Sequence, residues 1–240
     1  MQRLFSNGCS FNQWRTVPPH AVRTSVGEQV ARHYKMHCTN ISAGGKGNDR
    51  IVSTTINYFL HKPERMKDTF ALIQWSSAAR MDYPVKVNKP EDEMEGYDIQ
   101  YRAINMYKKG DHGQDVFKNF AKLHLPNFLI QRYYQAVINL QNFFKVHNIN
   151  YLMYNGLENE YTSGSQEHKR LYKYIDTDRF YKFGDARFVH RNWCIKRDYI
   201  LANDGHATLK GVRHYSEFLV KHIDKNNFLK KNTHFIKYKD

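Results

Sequence analysis

TFALIQW, residues 69–75, is a run of mostly apolar residues with the length of one β-strand. A strand that is apolar on both faces is typical of a parallel sheet, because helices cover both sides of such a sheet. The polar residues Ser76 and Ser77 follow at once and mark the end of the run. The run therefore predicts a central strand of an α/β fold.

Shorter strand patterns and helical patterns alternate on both sides of this run. Strands are predicted at residues 2–6, 38–41 and 151–154, and helices at 24–34, 49–60, 126–147 and 208–223. Thr24 or Ser25 is the expected N-cap of the first helix. The alternation favours a three-layer α/β/α sandwich with a mainly parallel sheet.

Two stretches depart from this alternation. Residues 81–125 carry the acidic patch PEDEMEGYD and the polar segment KKGDHGQD, with few periodic hydrophobic residues. We expect an insertion or a lid there, after the third strand of a single domain that spans residues 1–240. Residues 156–200 are rich in aromatic and charged side chains, and their pattern predicts no particular element.

The charge balance of the chain is unusual. Lys and Arg number 37 against 23 Asp and Glu, so the formal net charge is +14, with 13 His in addition. Such a field favours anionic partners such as phosphates, nucleic acid or acidic glycans, although a bias towards Lys and Asn codons would give the same excess. The hydrophobic fraction of 41% excludes a chain that is disordered throughout.

The cysteines and the lengths of the apolar runs indicate in which cellular compartment the protein is expected. Cys9, Cys38 and Cys194 lack CxxC spacing and cannot form a closed set of disulfides, which favours a reducing compartment. No window approaches the roughly 18 apolar residues of a membrane span, and the start lacks the apolar run of a signal peptide. We therefore expect a cytoplasmic protein without a membrane span.

Polar residues follow the predicted strands where a parallel α/β sheet binds its ligands, beyond the carboxyl ends of the strands. Ser10 follows the first strand, a glycine cluster at 44–47 follows the second, and Asp204 and His206 precede the last helix. A serine, a base with its carboxylate and backbone donors are the parts of an acyl-transfer site. The glycine cluster is not a P-loop, because Lys46 is followed by Gly47 rather than Ser or Thr.

Four short blocks of the chain resemble those of the SGNH (GDSL-like) hydrolases, particularly the short basic members encoded by bacteriophages and some bacteria. NGCSF at 7–11 is similar to the nucleophile motif of the family, and NISAGGKGNDRI at 40–51 is similar to its glycine block. DGH at 204–206, with Gly211 five residues on, is similar to the family's Asp-x-His-Pro and its later glycine. The remaining block, QWSS at 74–77, departs from the family pattern.

The resemblance implies an SGNH/flavodoxin-like fold and a serine esterase or acetylesterase that needs no cofactor and no metal. It implies that Ser10 is the nucleophile, His206 the general base and Asp204 the residue that orients the base. It also implies that the backbone N–H groups of Ser10 and Gly45 donate to the oxyanion. The alternatives from the residues alone are a helix-capping Ser10 and a Gly45 that serves only a tight turn.

The expected substrate is an acylated carbohydrate or lipid, and the basic chain suits an anionic one. Asn48 and Arg80 are candidate substrate-binding residues, Arg80 for an anionic group, although a surface ion pair is the commoner role of an arginine. Nucleic acid is a less favoured partner, and the sequence predicts no oligomeric state.

Two departures from the family pattern leave a second function open. The family's third block normally supplies an Asn side chain to the oxyanion hole, and Ser76 is the candidate replacement here, unless its hydroxyl only bonds locally. Loss of one oxyanion donor costs on the order of 100- to 1,000-fold in rate. The family's Pro after the last-block His is Ala207. The alternative is a catalytically impaired binding or virion-associated structural protein on the same scaffold, which uses its basic surface.

Overall fold

A computed structural model describes residues 3–13, 22, 24–86, 99–105, 126–159, 166–201 and 205–229, without the side chains of 83–86, 99–105, 126–127 and 166–168. The strands in these residues are β1 (Arg3–Asn7), β2 (His37–Asn40), β3 (Thr69–Trp75), β4 (Arg80–Lys86), β5 (Ile99–Asn105) and β6 (Asn150–Asn155). The α-helices are α1 (Val26–His33), α2 (Asn48–His61), α3 (Pro126–Val146), α4 (Gln166–Tyr172), α5 (His190–Ile195) and α6 (Leu209–Lys225).

Four of these strands form one parallel sheet in the order β2-β1-β3-β6. The predicted strands and helices lie within two residues of the observed ones, and β3 has the bounds that its apolar run predicts. Residues 156–200, which the sequence left unassigned, contain the short helices α4 and α5. No helix in the described part of the chain combines the length and apolar character needed to cross a bilayer.

The alternation of side chains along β3 explains why helices pack on both faces of the sheet. All seven residues of β3 are buried. Ala71, Ile73 and Trp75 join a core with α2 and α3, while Phe70 and Leu72 join a second core with α1 and α6. Fully burying a Leu, Ile or Phe side chain contributes roughly 1.5–3 kcal/mol, so each face is a source of stability. The predicted three-layer α/β/α fold is confirmed.

The N-terminus of α1 carries a capping box that settles which of two residues is the N-cap. The Ser25 hydroxyl accepts from the Glu28 N–H at 3.2 Å, and the Glu28 carboxylate accepts from the Ser25 N–H at 2.9 Å. These bonds satisfy two donors of the kind that a helix start leaves open. Ser25 rather than Thr24 is therefore the N-cap.

Strands β4 and β5 leave the main sheet. They pair antiparallel with each other, from Arg80 opposite Asn105 to Lys86 opposite Ile99, and form a separate two-stranded sheet. Its first strand is tied to the start of α2, because the Gly47 N–H donates to Asp82 Oδ2 at 2.6 Å. From Met81 onward this hairpin lies within the predicted insertion, of which 87–98 and 106–125 lie outside the described residues. The lid and the domain bounds stay predictions.

The strand order locates a crevice at the carboxyl end of β1. The chain passes from β1 to β2 on one side and then returns across β1 to β3 on the other. Connections that diverge in this way leave an opening beyond the strand ends, and ligands of α/β proteins bind at such positions. The residues after β1, β2 and β3 therefore meet at one edge of the sheet.

Candidate active site

Ser10 lies three residues beyond the end of β1 and begins a single 3-10 turn, Ser10–Asn12. The chain passes close to β3 before this turn, since a Cβ on Gly8 would lie 2.7 Å from Gln74 Cβ. Cys9 is fully buried, and its Sγ donates to Gln74 Oε1 at 3.3 Å, whereas Ser10 is partly exposed. Adjacent side chains of extended backbone point in opposite directions, so the hydroxyl rather than the thiol reaches the crevice.

His206 contacts Ser10 across 196 residues of sequence. Its Nε2 lies 2.8 Å from Ser10 Oγ, within the range in which a base can accept a hydroxyl proton. The Phe11 ring stacks on the imidazole with ring centroids 4.7 Å apart and 27° between the planes. The structure thus brings together two of the three predicted catalytic side chains. The third, Asp204, lies outside the described residues, and the catalytic roles stay predictions.

The chain at and after His206 is tied to residues 199–201 by backbone hydrogen bonds. The Leu201 N–H donates to the His206 carbonyl at 2.7 Å, and the Thr208 N–H donates to the Tyr199 carbonyl at 2.8 Å. Thr208 also caps α6, because its hydroxyl accepts from the Gly211 N–H at 3.1 Å. His206 therefore lies in a segment that is tied to the start of a long helix.

The glycine cluster after β2 lies beside the turn of Ser10, since the Ala43 N–H donates to the Gly8 carbonyl at 3.2 Å. Gly45 has a φ of 75°, in the left-handed region that favours glycine. Within the described residues, the backbone N–H groups of Ser10 and Gly45 have no acceptor. Both are therefore available to a ligand, and their role as oxyanion donors stays a prediction.

Ser76 and Asn48 are bonded to each other at the end of β3. The Ser76 N–H donates to Asn48 Oδ1 at 2.9 Å, and Asn48 Nδ2 donates back to the Ser76 carbonyl at 3.2 Å. Ser76 is 0% exposed and Asn48 is 5% exposed. Asn48 therefore ties the start of α2 to the end of β3. The substrate contact expected of Asn48 and the oxyanion role expected of Ser76 stay predictions.

Arg80 extends along the same strand end and is partly exposed. Its Nη1 donates to Ser76 Oγ at 3.3 Å, and no carboxylate pairs with its guanidinium among the described residues. The surface ion pair that is the commoner role of an arginine is thus not formed with any described residue. The remaining donors of the guanidinium are of the kind that binds anionic groups, and the substrate contact expected of Arg80 stays a prediction.

Beneath the crevice lies a group of buried polar side chains that the sequence analysis missed. We call it the buried floor, and its members are Cys9, Gln74, Tyr154 and His190. Gln74 Nε2 donates to Tyr154 Oη at 3.3 Å and lies 3.4 Å from His190 Nδ1, and all four residues are fully buried. Burial raises the pKa of the Cys9 thiol and lowers the pKa of His190 to about 3. An amide inside an apolar strand run, at Gln74, was the one sequence signal of this group.

No protein-family model and no curated protein matches the chain. Several solved structures have a similar backbone arrangement. The psychrotrophic esterase EstA from Pseudoalteromonas sp. is 10% identical with a TM-score of 0.49, over 94% of this chain and 98% of that one. The acetyl xylan esterase Est2A from Butyrivibrio proteoclasticus is 11% identical with a TM-score of 0.47, over 95% of this chain and 65% of that one. AlinE4, an SGNH-hydrolase family esterase, is 12% identical with a TM-score of 0.41, over 94% and 96%.

Proposed function

We propose that this chain is an SGNH-type serine esterase that forms an acyl-enzyme on Ser10. The observation that carries this proposal is the 2.8 Å contact between His206 Nε2 and Ser10 Oγ. A serine hydroxyl is a weak nucleophile until an adjacent base takes its proton. A helix-capping serine would instead accept from a backbone N–H two or three residues on, but Cys9 rather than Ser10 is the N-cap of the 3-10 turn, and Ser10 Oγ is bonded to His206.

In the acylation step, Ser10 Oγ attacks the carbonyl carbon of the ester while its proton passes to His206 Nε2. The π electrons of the carbonyl move to its oxygen, which accepts from the N–H groups of Ser10 and Gly45. When the tetrahedral intermediate collapses, the bond to the alcohol oxygen breaks and this oxygen takes the proton from His206. The acyl group remains on Ser10, as in serine hydrolases generally.

In the deacylation step, a water molecule replaces the alcohol. His206 accepts one proton of the water while its oxygen attacks the acyl carbon, and the same two donors hold the oxyanion. Collapse returns the proton to Ser10 Oγ and releases the acid. Asp204, the proposed orienting residue, would fix the imidazole tautomer and stabilise its charged form.

The substrate that fits this site best is an ester with an anionic group near the acyl carbon. Arg80 supports this, because its guanidinium lies at the end of β3 without a carboxylate partner among the described residues. The net charge of +14 would raise the local concentration of such a substrate. Acylated acidic carbohydrates and lipids are the classes with this chemistry.

Two measurements test the proposal: labelling of the protein by a fluorophosphonate probe, and the rate of p-nitrophenyl acetate hydrolysis. We expect the probe to label the protein at Ser10, and Ser10→Ala to remove the label and lower hydrolysis by at least about 1,000-fold. Ser77→Ala is the matched control, because Ser77 is a partly exposed serine whose hydroxyl accepts from the Ala79 N–H at 3.2 Å. Ser10→Ala protein that hydrolyses the ester as fast as wild type would remove the catalytic assignment.

The second candidate is a binding or structural protein that has lost catalysis. The serine at position 76, where the resemblance leads one to expect an Asn, favours this candidate. Folded wild-type protein that the probe does not label would support it. A nucleic-acid partner would then be recognised by binding that weakens steeply as the salt concentration rises, because phosphate contacts release counterions.

A further inference from the structure

Lys46 is a fully buried lysine next to the proposed oxyanion donor Gly45. Its Nζ donates to Asn7 Oδ1 at 2.8 Å, to the Ile41 carbonyl at 2.8 Å and to Thr54 Oγ1 at 3.2 Å. An ammonium group has three N–H donors, so each has an acceptor. One buried charge thus joins the end of β1, the end of β2 and the second turn of α2.

Asn7 passes this connection on to the turn of Ser10. Its Oδ1 accepts from the Gly8 N–H at 2.9 Å as well as from Lys46 Nζ. Its Nδ2 donates to the Ile51 carbonyl and to Thr55 Oγ1, at 3.1 and 2.8 Å, which anchors the amide to α2. Lys46 is therefore connected to Ser10 through the Asn7 side chain and the backbone of Gly8 and Cys9.

The charge of Lys46 is not balanced by a bonded carboxylate. Burial and, to a smaller extent, the nearby charge of Arg50 lower the pKa of Lys46, Asp82 and Cys9 raise it, and the pKa that results is about 7. Asp82 accepts from the Gly47 N–H rather than from Nζ. A buried charge without an ion pair is a poor source of stability. The three bonds of Lys46 instead constrain the geometry of the residues that they join.

We infer that Lys46 is a positioning residue that sets the spacing between the two backbone donors of the proposed oxyanion hole. Through Asn7 it fixes the turn whose N–H belongs to Ser10. Through its own backbone it fixes Gly45, because the anchored side chain holds the residue directly after that glycine. This inference rests on the proposed esterase function. It assigns to Lys46 an indirect role, in which Lys46 positions the two N–H donors and does not itself contact the oxyanion.

Replacing Lys46 by Met tests this role. Met has a similar length but no donor, so the Ile41 carbonyl loses its partner and the Asn7 amide loses one of its bonds. We expect kcat to fall roughly 10- to 100-fold, because small displacements of oxyanion donors have effects of this size. KM should stay within about threefold, because the oxyanion charge develops only in the transition state.

The experiment compares wild type, Lys46→Met and Lys67→Met, with Lys67 as the exposed lysine control. For each protein, kcat, KM, the rate of fluorophosphonate labelling at Ser10 and Tm are measured. We expect Lys46→Met to lose kcat and labelling rate, and Lys67→Met to match wild type. A folded Lys46→Met protein would overturn the inference if its kcat equals that of wild type, whether or not its KM is raised. Wild-type protein that is not labelled at all would instead overturn the proposed function.

A pH profile adds a readout that loss of packing would not change. Above about pH 7, neutral Lys46 keeps two N–H donors for three acceptors, so we expect wild-type kcat to decline by severalfold towards pH 9. Lys46→Met should lack this decline. If Lys46→Met does not fold, the isosteric Thr54→Val should lower kcat roughly 3- to 10-fold, because it removes the longest of the three Lys46 bonds together with the 2.9 Å bond from Asn7 Nδ2. Wild-type kcat in Thr54→Val together with a flat wild-type profile would also overturn the inference.

Discussion

His206 and His190 both lie next to Phe11, but they differ in exposure and in their hydrogen-bond partners. His206, at the crevice, is partly exposed and contacts Ser10 Oγ at 2.8 Å. His190, in the buried floor, is 0% exposed, and its Nε2 has no partner in the described part of the chain. The Phe11 ring lies between the two, with centroids 4.7 Å from the His206 ring and 5.8 Å from the His190 ring.

This difference shows that burial, rather than residue type, decides which imidazole can exchange protons. Burial lowers the pKa of His190 to about 3, so its ring is neutral at physiological pH. The ring stacks on Tyr215 with centroids 4.3 Å apart, as an apolar side chain would. His190 is thus a packing residue, and His206 is the histidine with access to both water and a hydroxyl.

Replacing each histidine by Gln should give the largest contrast between the two regions. We expect His206→Gln to lower kcat for p-nitrophenyl acetate by roughly 1,000- to 10,000-fold, because a glutamine amide cannot accept the Ser10 proton. His190→Gln should change kcat by less than about tenfold, because no proton passes through a neutral buried ring. Equal losses in the two variants, with both proteins folded by circular dichroism, would contradict the assignment of the base.

The pH dependence of the free energy of unfolding should give the next largest effect, and we expect it to come from His190 in the buried floor. The pKa of His190 is about 3 in the folded protein against 6.5 for an ordinary histidine, so the unfolded chain binds more protons between these values. The free energy of unfolding should therefore fall on acidification, by about 3 kcal/mol between pH 7 and pH 4 from this residue.

Urea unfolding of wild type and His190→Gln at pH 7 and pH 4 measures this contribution. The other titrating groups are common to both proteins, so the difference between their pH dependences isolates His190. His206→Gln serves as the control, because its ring is partly exposed. A His190→Gln protein that loses as much stability on acidification as wild type would show that His190 is not a buried neutral base.

The elements that could be predicted from the sequence are those with many regular residues. The run TFALIQW gave the bounds of β3, and the 3.6-residue pattern gave α3 to within one residue. Residues 156–200 could not be assigned, because α4 and α5 have only seven and six residues and show too little periodicity. The resemblance named Ser10 and His206, whose side chains do meet in the fold, although their roles stay predictions.

The buried floor could not be predicted, because its members come from four separate parts of the chain. Cys9 and Tyr154 are ordinary core residues in sequence, and His190 is one of 13 histidines. Only the packing of β3 against its neighbours brings them to Gln74. The same holds for Lys46, whose burial follows from acceptors on three elements that no sequence spacing relates.

Phe11→Leu should give the smallest effects, and it should change both kcat, through the crevice, and the free energy of unfolding, through the buried floor. The ring stacks on His206 and meets His190 edge-on, and aromatic pairs of this kind contribute about 0.5–1.5 kcal/mol each. Because the ring supports the His206 imidazole from one side, we expect kcat to fall roughly 3- to 10-fold. Because it also packs in the core, the free energy of unfolding should fall by about 1 kcal/mol.

Phe218→Leu is the matched control, since Phe218 contacts Trp193 with centroids 5.4 Å apart and should affect stability alone. A loss of kcat without a loss of stability in Phe11→Leu would mean that the ring serves only the crevice. A loss of stability without a loss of kcat would mean that the ring serves only the buried floor, and that stacking on Phe11 is not needed to hold the His206 imidazole. Loss of both, in a variant that keeps every hydrogen-bonding group of the two regions, would show that one aromatic ring couples them.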